Sequence, residues 1–341
     1  MTVLSTEVMA GQRLMVGFDG TDFNDDLEFL IETLQVGGLI LFSRNLGTPE
    51  QIRRLCRDCQ ETAARCALPP LFIAIDQEGG QVARLKPPFT QFPGNPAMKH
   101  LEDAVHFARV TAGELKQAGI NMDMAPVLDV VPEGVDSIMA GRVFGSDPGW
   151  VTIMAMTVID HLQRCGIMAV AKHFPGIGRT VLDSHLVLPD LKIDVQALAE
   201  SDLIPFKAAI AGDVAGMMLS HICYTGIDPV WPASLSPAVT ADLLRRQLGY
   251  DGVVMTDDLD MGAIKPNHGI DTAIGQILIA DVDIALICHK GPDIETACEK
   301  IRKSLADDAI LRRMGERSMA RIQRLKSAYL QENRGFKPLS C

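Results

Sequence analysis

The sequence predicts an α/β protein built as a single (β/α)8 barrel with an additional C-terminal helix. Eight short apolar runs recur along the 341 residues, and nearly every run is followed by a loop and then by an amphipathic stretch. Strand, loop and helix repeated eight times is typical of this barrel. Aromatic residues make up only 5% of the chain, and runs of aliphatic residues suit strands buried on both faces. The predicted strands are residues 14–18, 38–42, 71–75, 121–125, 168–173, 216–220, 252–256 and 284–288.

The stretches between these strands carry helix start and stop signals. A start signal is an N-cap residue followed by proline, and a stop signal is a glycine just past the helical pattern. The start signals are Thr48-Pro49 and Ser236-Pro237, and the stop signals are Gly119, Gly166 and Gly249. A charged amphipathic stretch at about residues 308–332 predicts a final helix that packs across the barrel exterior. No Gly-x-Gly-x-x-Gly follows the first strand, which disfavours a doubly wound nucleotide-binding sheet, and we expect residues 1–341 to form one domain.

Composition narrows the range of partners. The formal net charge of −11 argues against nucleic acid and anionic membranes, which need a basic surface. No apolar run approaches the roughly 20 residues of a membrane helix, and the first residues lack the pattern of a signal peptide, so we expect a cytoplasmic protein. Cys56 and Cys59 lie in a helical pattern without a second Cys-x-x-Cys, which favours free buried thiols over a zinc site. We expect a monomer.

Ionisable residues stand at the carboxyl ends of four predicted strands. In a parallel barrel these ends meet on one face, which is where such barrels hold their active sites. The residues are Asp76 after the third strand, Lys172 and His173 at the fifth, His221 after the sixth, and Asp257 and Asp258 after the seventh.

A loop rich in proline and glycine follows the fifth strand and carries Asp183 and His185. At this spacing the carboxylate can bind one imidazole nitrogen and leave the other facing outward, which makes a competent general acid and base. An isolated Asp-x-His is also compatible with a local hydrogen bond in a solvated loop.

The predicted rim suits a polyhydroxylated ligand, because carboxylates accept hydrogen bonds from sugar hydroxyls and arginines donate them. The groups concerned are Asp76, Asp183, Asp257, Arg84 and Arg142. Hydrolysis of a glycoside needs one group to protonate the leaving oxygen and another to attack or stabilise the anomeric carbon. Asp257 at a strand end suits the nucleophile, and His185 on a loop suits the proton shuttle.

Three other classes stay open at this point. Lys172 at a strand end is compatible with a Schiff-base lyase, if its amine has a depressed pKa. A metal hydrolase is conceivable from His173, His185, His221 and His289. A barrel that only binds cell-wall fragments is the non-enzymatic alternative, although a binder has no need of an attacking carboxylate.

Five motifs in order resemble the NagZ-type β-N-acetylglucosaminidases (β-hexosaminidases) of glycoside hydrolase family 3, and the similarity spans most of the chain. The motifs are IDQEGGQVARL at 75–85, APVLDV at 125–130, GRVFGSDP at 141–148, KHFPGIG with LDSH within 172–185, and TDDLDMGAI at 256–264.

The resemblance implies a catalytic barrel with a retaining mechanism, in which Asp257 is the nucleophile and His185 the acid/base with Asp183 as its partner. It also implies that Asp76, Arg84, Arg142, Lys172 and His173 bind the hydroxyls and the N-acetyl group of the sugar. The implied substrates carry terminal β-linked N-acetylglucosamine, as in muropeptides from the cell wall or chito-oligosaccharides. No metal or cofactor is implied.

One position departs from the family pattern. Ile177 stands where the family usually has histidine or aspartate between the glycines, so we expect loss of a polar contact that could hold the closed loop. A neutral acid/base repels anions less than a carboxylate would, so a phosphorylase is an alternative hypothesis. Trp231 and Tyr224 are candidates for either an aglycone site or core packing, and Asp123 and Asp129 are expected to brace the fourth strand's loop.

Overall fold

The eight predicted strands form a closed parallel barrel in the computed structural model, which describes residues 5–184 and 186–330. They are β1 Leu14–Val16, β2 Gly38–Leu41, β3 Phe72–Ile75, β4 Met122–Asp123, β5 Met168–Phe174, β6 Gly216–Leu219, β7 Val253–Asp258 and β8 Ile284–Ile287. Each strand pairs with its neighbours in sequence, and β1 closes the barrel on β8 with Met15 opposite Leu286. The predicted (β/α)8 barrel is therefore confirmed.

Helices cover the outside of the barrel. They are α1 Thr6–Gln12, α2 Asp25–Glu28, α3 Pro49–Arg65, α4 Leu101–Ala118, α5 Pro148–Arg164, α6 Val195–Ala199, α7 Leu203–Ala211, α8 Ile270–Ile279, α9 Pro292–Asp307 and α10 Ala309–Leu330. Two π-helical segments, Phe29–Thr33 and Ala238–Gln247, and three short 3-10 turns, Ser43–Asn45, Asn95–Ala97 and Ala233–Leu235, complete the described helical structure. Every residue of β1, β2, β3 and β5 is buried, because the helices outside and the packed interior cover both faces of each strand.

The helix signals in the sequence act as predicted. Oγ1 of Thr48 accepts from the N–H of Gln51 at the start of α3, and Oγ of Ser236 accepts from the N–H of Val239. Gly119 has the left-handed conformation, φ 82°, directly after α4. Within α3, burial raises the pKa of the free Cys56 thiol to about 12.

The C-terminal helix α10 binds the face of the barrel at which the strands begin. Nζ of Lys326 donates to Oε1 of Gln12 at 2.7 Å and to the backbone oxygen of Gly37, next to β2, at 2.9 Å. Arg321 contacts Asp281 at 2.7 Å and Asp283, next to β8, at 2.8 Å. The predicted helix is thus present, with its bounds at Ala309–Leu330 in the described part of the chain.

Two small sheets extend the opposite face of the barrel. Gln77–Gly79 pairs with Val82–Ala83 after β3, and Asp190–Leu191 pairs with Cys223–Tyr224 after β6. Within residues 5–184 and 186–330, no helix has both the length and the hydropathy to span a membrane.

Candidate active site

A cavity of about 280 Å³ opens at the carboxyl ends of the barrel strands. The fold brings six predicted site residues to it from separate stretches of the chain: Asp76, Arg84, Arg142, Lys172, His173 and Asp257. The rest of its lining consists of Ile40, Phe42, Val82, Met218, Asp258, Met261, Leu286, Cys288 and His289.

An ion-pair network forms one wall of this cavity. Nζ of Lys172 lies 2.8 Å from Oδ1 of Asp76 and 2.6 Å from Oε1 of Glu78. Arg142 donates two hydrogen bonds to Glu78, at 2.7 and 3.0 Å, and Arg84 donates to Asp76 at 3.2 Å. Each carboxylate therefore holds two cations, which fixes the positions of the donors that face the cavity.

The network also fixes the charges of its members. Burial alone would raise the pKa of Asp76, but Lys172 and Arg84 outweigh it and hold this pKa below its ordinary value. Burial would lower the pKa of Lys172, but Asp76 and Glu78 outweigh it and raise this pKa. A Schiff base needs a free amine, so an ammonium held by two carboxylates argues against the lyase hypothesis.

Glu78 is a site residue that sequence reasoning missed. Its side chain is buried and links Arg142 to Lys172. The signal that could have identified it is its spacing, because residues two apart in an extended segment lie on the same side. Asp76 and Glu78 share a side of the segment that continues β3, while Oε1 of the intervening Gln77 accepts from the N–H of Arg84.

His173 is held by a buried carboxylate behind it. Nδ1 of His173 donates to Oδ2 of Asp129 at 2.8 Å, since a carboxylate oxygen accepts. The other ring nitrogen, Nε2, is thereby left to the cavity that the residue lines. Oδ1 of Asp129 accepts from the N–H of Ile177 at 2.8 Å. Asp129 thus braces the site without lining the cavity, as the sequence predicts.

Two adjacent aspartates at the end of β7 differ in their surroundings. Burial would raise the pKa of Asp257, but His221 and His173 in their protonated forms outweigh it, so this pKa is lowered and the carboxylate is ionised above the acid range. Burial raises the pKa of Asp258, whose Oδ1 accepts from the N–H groups of Asp260 and Cys288 at 3.0 Å each. Of these two aspartates, Asp257 is the ionised acid, and Asp258 braces the turn that follows.

The loop that carries Asp183 reaches the segment that follows Asp257. The backbone oxygen of Ser184 accepts from the N–H of Ala263 at 3.0 Å, and Ser184 is buried. Asp183 itself is not among the residues that line the cavity. His185 lies outside the described residues, so its pairing with Asp183 stays a prediction.

Comparisons with known proteins decide the family. Residues 5–325 match the family model described as the glycosyl hydrolase family 3 N terminal domain. The chain belongs to glycoside hydrolase family 3. This family 3 enzyme is 36% identical over 285 residues to a beta-hexosaminidase from Alkalilimnicola ehrlichii, covering 81% of this chain and 80% of that protein. It is 32% identical over 340 residues to a beta-hexosaminidase from Pseudomonas aeruginosa, covering 96% of each.

A solved structure supports the same assignment. The family 3 enzyme aligns with a glycoside hydrolase family 3 beta-N-acetylglucosaminidase from Paenibacillus sp. str. FPU-7 at a TM-score of 0.92 and 36% identity. The alignment covers 96% of this chain and 63% of that one, so the chain spans less than two thirds of the solved relative. The predicted family is confirmed, and the chain is a glycoside hydrolase.

The base of the long loop in this family 3 enzyme is anchored despite Ile177. The Ile177 side chain is buried in the core, and its N–H retains the bond to Asp129. Arg179 makes a bidentate ion pair with the buried Asp202, at 2.8 to 3.2 Å. A Cβ on Gly178 would lie 1.9 Å from the backbone oxygen of Val130, so only glycine fits there. We expected Ile177 to cost the loop a polar contact, but burial of its side chain and these neighbouring contacts hold the base of the loop.

The two aromatic candidates differ in role. Tyr224 is fully buried and donates to the backbone oxygen of Gly176 at 2.8 Å, which assigns it to packing under the loop. Trp231 is half-buried and contacts His268 in a tilted arrangement, with ring centroids 5.1 Å apart. Neither aromatic residue lines the cavity.

One group among the described residues has metal-ligand spacing, namely Asp258, Asp260 and His289. Its carboxylates are already engaged, since Asp260 accepts from Lys265 and from the N–H of His289. These bonds give the group a structural role at the rim. The described histidines of the metal-hydrolase hypothesis, His173, His221 and His289, do not converge on one point in this part of the chain.

Proposed function

We propose that this family 3 enzyme is a retaining exo-β-N-acetylglucosaminidase that hydrolyses terminal β-linked N-acetylglucosamine. The observation that carries the proposal is the ionised Asp257 carboxylate in a cavity walled by Asp76, Arg84, Arg142 and Lys172. Beta-hexosaminidases and a beta-N-acetylglucosaminidase among its relatives support the choice of sugar.

In the proposed reaction an oxygen of Asp257 attacks the anomeric carbon and forms a covalent glycosyl ester. The bond from that carbon to the glycosidic oxygen breaks, and the imidazolium of His185 gives its proton to the leaving oxygen. His185, oriented by Asp183, then takes a proton from water as the water attacks the same carbon and releases Asp257. No metal or cofactor takes part in this sequence.

The ion-pair network supplies the sugar-binding groups in this proposal. Arg84, Arg142 and Lys172 donate to ring substituents, Asp76 accepts from sugar hydroxyls, and His173 presents Nε2. Because the charges are fixed before the substrate arrives, these groups need little reorganisation during the reaction.

The proposal also covers the domain organisation, oligomeric state, location and natural substrate of the enzyme. We propose that residues 1–341 form one catalytic domain that acts as a monomer in the cytoplasm. Muropeptides released from the cell wall are the proposed natural substrates. These statements rest on the family resemblance and the acidic composition.

Two substitutions test the assigned roles. Asp257→Ala should abolish hydrolysis of an aryl β-N-acetylglucosaminide, because no group remains to form the ester. His185→Ala should reduce kcat/KM far less for a dinitrophenyl leaving group than for a poor one, because an activated leaving group needs little protonation. The measurement is kcat/KM for both variants on a series of leaving groups.

Equal losses for His185→Ala on good and poor leaving groups would contradict the acid/base assignment. The same assays in phosphate buffer identify the acceptor. A sugar 1-phosphate product would show that phosphate, and not water, attacks the glycosyl-enzyme, which would make the enzyme a phosphorylase.

A further inference from the structure

The orientation of the Asp257 carboxylate depends on the peptide that follows it. Oδ1 of Asp257 accepts from the backbone N–H of Asp258 at 2.8 Å. Whatever holds the Asp258 backbone in place therefore also holds the carboxylate that we assign as nucleophile.

His221, two residues after the end of β6, contacts this backbone from beside the neighbouring strand. Its Nε2 lies 2.9 Å from the backbone oxygen of Asp258, and its Nδ1 lies 2.7 Å from Oγ of Ser234. A carbonyl oxygen only accepts, so Nε2 carries the proton and donates. In a neutral imidazole Nδ1 then accepts from the Ser234 hydroxyl, which fixes the tautomer.

The pair is enclosed and kept neutral. The exposed fraction is 1% for His221 and 0% for Ser234, and the N–H of Ser234 donates to the backbone oxygen of Ser220 at 3.0 Å. Burial lowers the pKa of His221, although Asp257 acts to raise it. Both ring nitrogens are engaged and His221 does not line the cavity, so it is placed neither to bind sugar nor to transfer a proton.

We propose that His221 and Ser234 are positioning residues for the nucleophile: Ser234 sets the His221 tautomer, and His221 holds the backbone carbonyl of Asp258, the residue whose own N–H orients Asp257. The inference rests on the proposed function of Asp257. Its physical basis is that a misplacement of about 1 Å at a reacting group can cost about 10²-fold in rate.

Three variants test the pair. His221→Phe removes the donor, His221→Gln keeps an amide N–H that can reach the Asp258 oxygen, and Ser234→Ala removes only the tautomer-setting hydroxyl. Tyr250→Phe is the matched control, because the buried Tyr250 hydroxyl donates to the backbone oxygen of Val214 at 3.0 Å and Tyr250 is not among the cavity residues.

The measurements are kcat and KM on an aryl β-N-acetylglucosaminide, the rate of the pre-steady-state burst, and the melting temperature. We expect His221→Phe to lower kcat and the burst rate by about 10²-fold with little change in KM, and His221→Gln to recover most of that loss. Ser234→Ala should fall between wild type and His221→Phe. Tyr250→Phe should lower the melting temperature and leave kcat unchanged.

The inference is overturned if His221→Phe keeps the wild-type kcat, if His221→Gln is as impaired as His221→Phe, or if Tyr250→Phe loses kcat equally. Should His221→Phe not fold, a wild-type kcat in Ser234→Ala would overturn it. Failure of the proposed function is distinguishable, because wild-type enzyme would then show neither turnover nor burst on the glycoside.

Discussion

The charge on each carboxylate in the cavity is set by its immediate neighbours. Asp257 and Asp258 are adjacent in the chain, yet histidines lower the pKa of the first while burial raises that of the second. A nucleophile must be ionised when the sugar binds. Of the two, Asp257 therefore has the surroundings that the proposed reaction requires.

Glu78 allows a test of the network at the level of one residue. Glu78→Gln keeps the shape of the side chain but removes the charge that Lys172 and Arg142 share. Removing one partner of a buried ion pair costs about 3–5 kcal/mol, so we expect a lower free energy of unfolding. We also expect a higher KM, because the two cations lose their fixed positions. Urea denaturation and steady-state kinetics measure both effects.

Glu114→Gln is the control for that variant. Glu114 accepts from the N–H and the hydroxyl of Thr90, at 2.9 and 2.8 Å, and it does not line the cavity. A Glu78→Gln enzyme with wild-type KM would show that Glu78 only supports packing.

The sequence made Asp76, Lys172, His173 and Asp257 predictable because each lies at a strand end, where the barrel geometry itself assigns a position. Glu78, by contrast, acts through contacts with residues 64 and 94 positions away. His221 was identified as a strand-end residue, but its link to Ser234 depends on how two loops pack. Such contacts between distant segments leave no periodic pattern in the sequence.

At the scale of elements, the apolar pattern predicted which strands and helices the structure contains. The observed strand boundaries differ from the predicted ones by a few residues. The clearest difference is β4, which covers only Met122–Asp123 where residues 121–125 were predicted. Lys172 and His173 lie within β5, as the predicted strand 168–173 has them, and Lys172 pairs with Val127. The base of the loop beyond them is anchored by Asp129, which was predicted only to brace the fourth strand's loop, and by Asp202, which no local signal in the sequence predicts.

The C-terminal helix α10 makes protein stability depend on pH through Lys326. Its Nζ contacts two neutral oxygens and lies 4.8 Å from the centre of the Phe72 ring, and burial lowers the pKa of Lys326 to about 7. An unfolded lysine has a pKa of about 10.4, so the unfolded state binds more protons between these values. The free energy of unfolding should therefore rise with pH from about 7 to about 10 on account of this group.

Lys326→Met should remove this contribution, so that the stability difference between wild type and variant changes with pH across that window. Urea denaturation at several pH values measures it. Lys207→Met, at an exposed position, is the control and should leave the pH dependence unchanged. A parallel pH dependence in wild type and Lys326→Met would show that Lys326 is charged in the folded protein.

At the scale of the whole molecule, a buried ion-pair cluster lies at one end of the barrel and the candidate active site lies at the other. Where the strands begin, the buried Asp283 binds Arg321 and Arg245 at 2.8 and 2.7 Å. Where the strands end, Asp257 and the ion-pair network surround the cavity. This division is the one expected of (β/α)8 enzymes.

The central claim is that Asp257 attacks the anomeric carbon. A 5-fluoro glycoside of N-acetylglucosamine forms a glycosyl-enzyme that turns over slowly, and mass spectrometry of its peptides locates the ester. The account predicts a single labelled peptide containing Asp257, with no label in Asp257→Ala. A label on another carboxylate, or turnover without any covalent adduct, would contradict it.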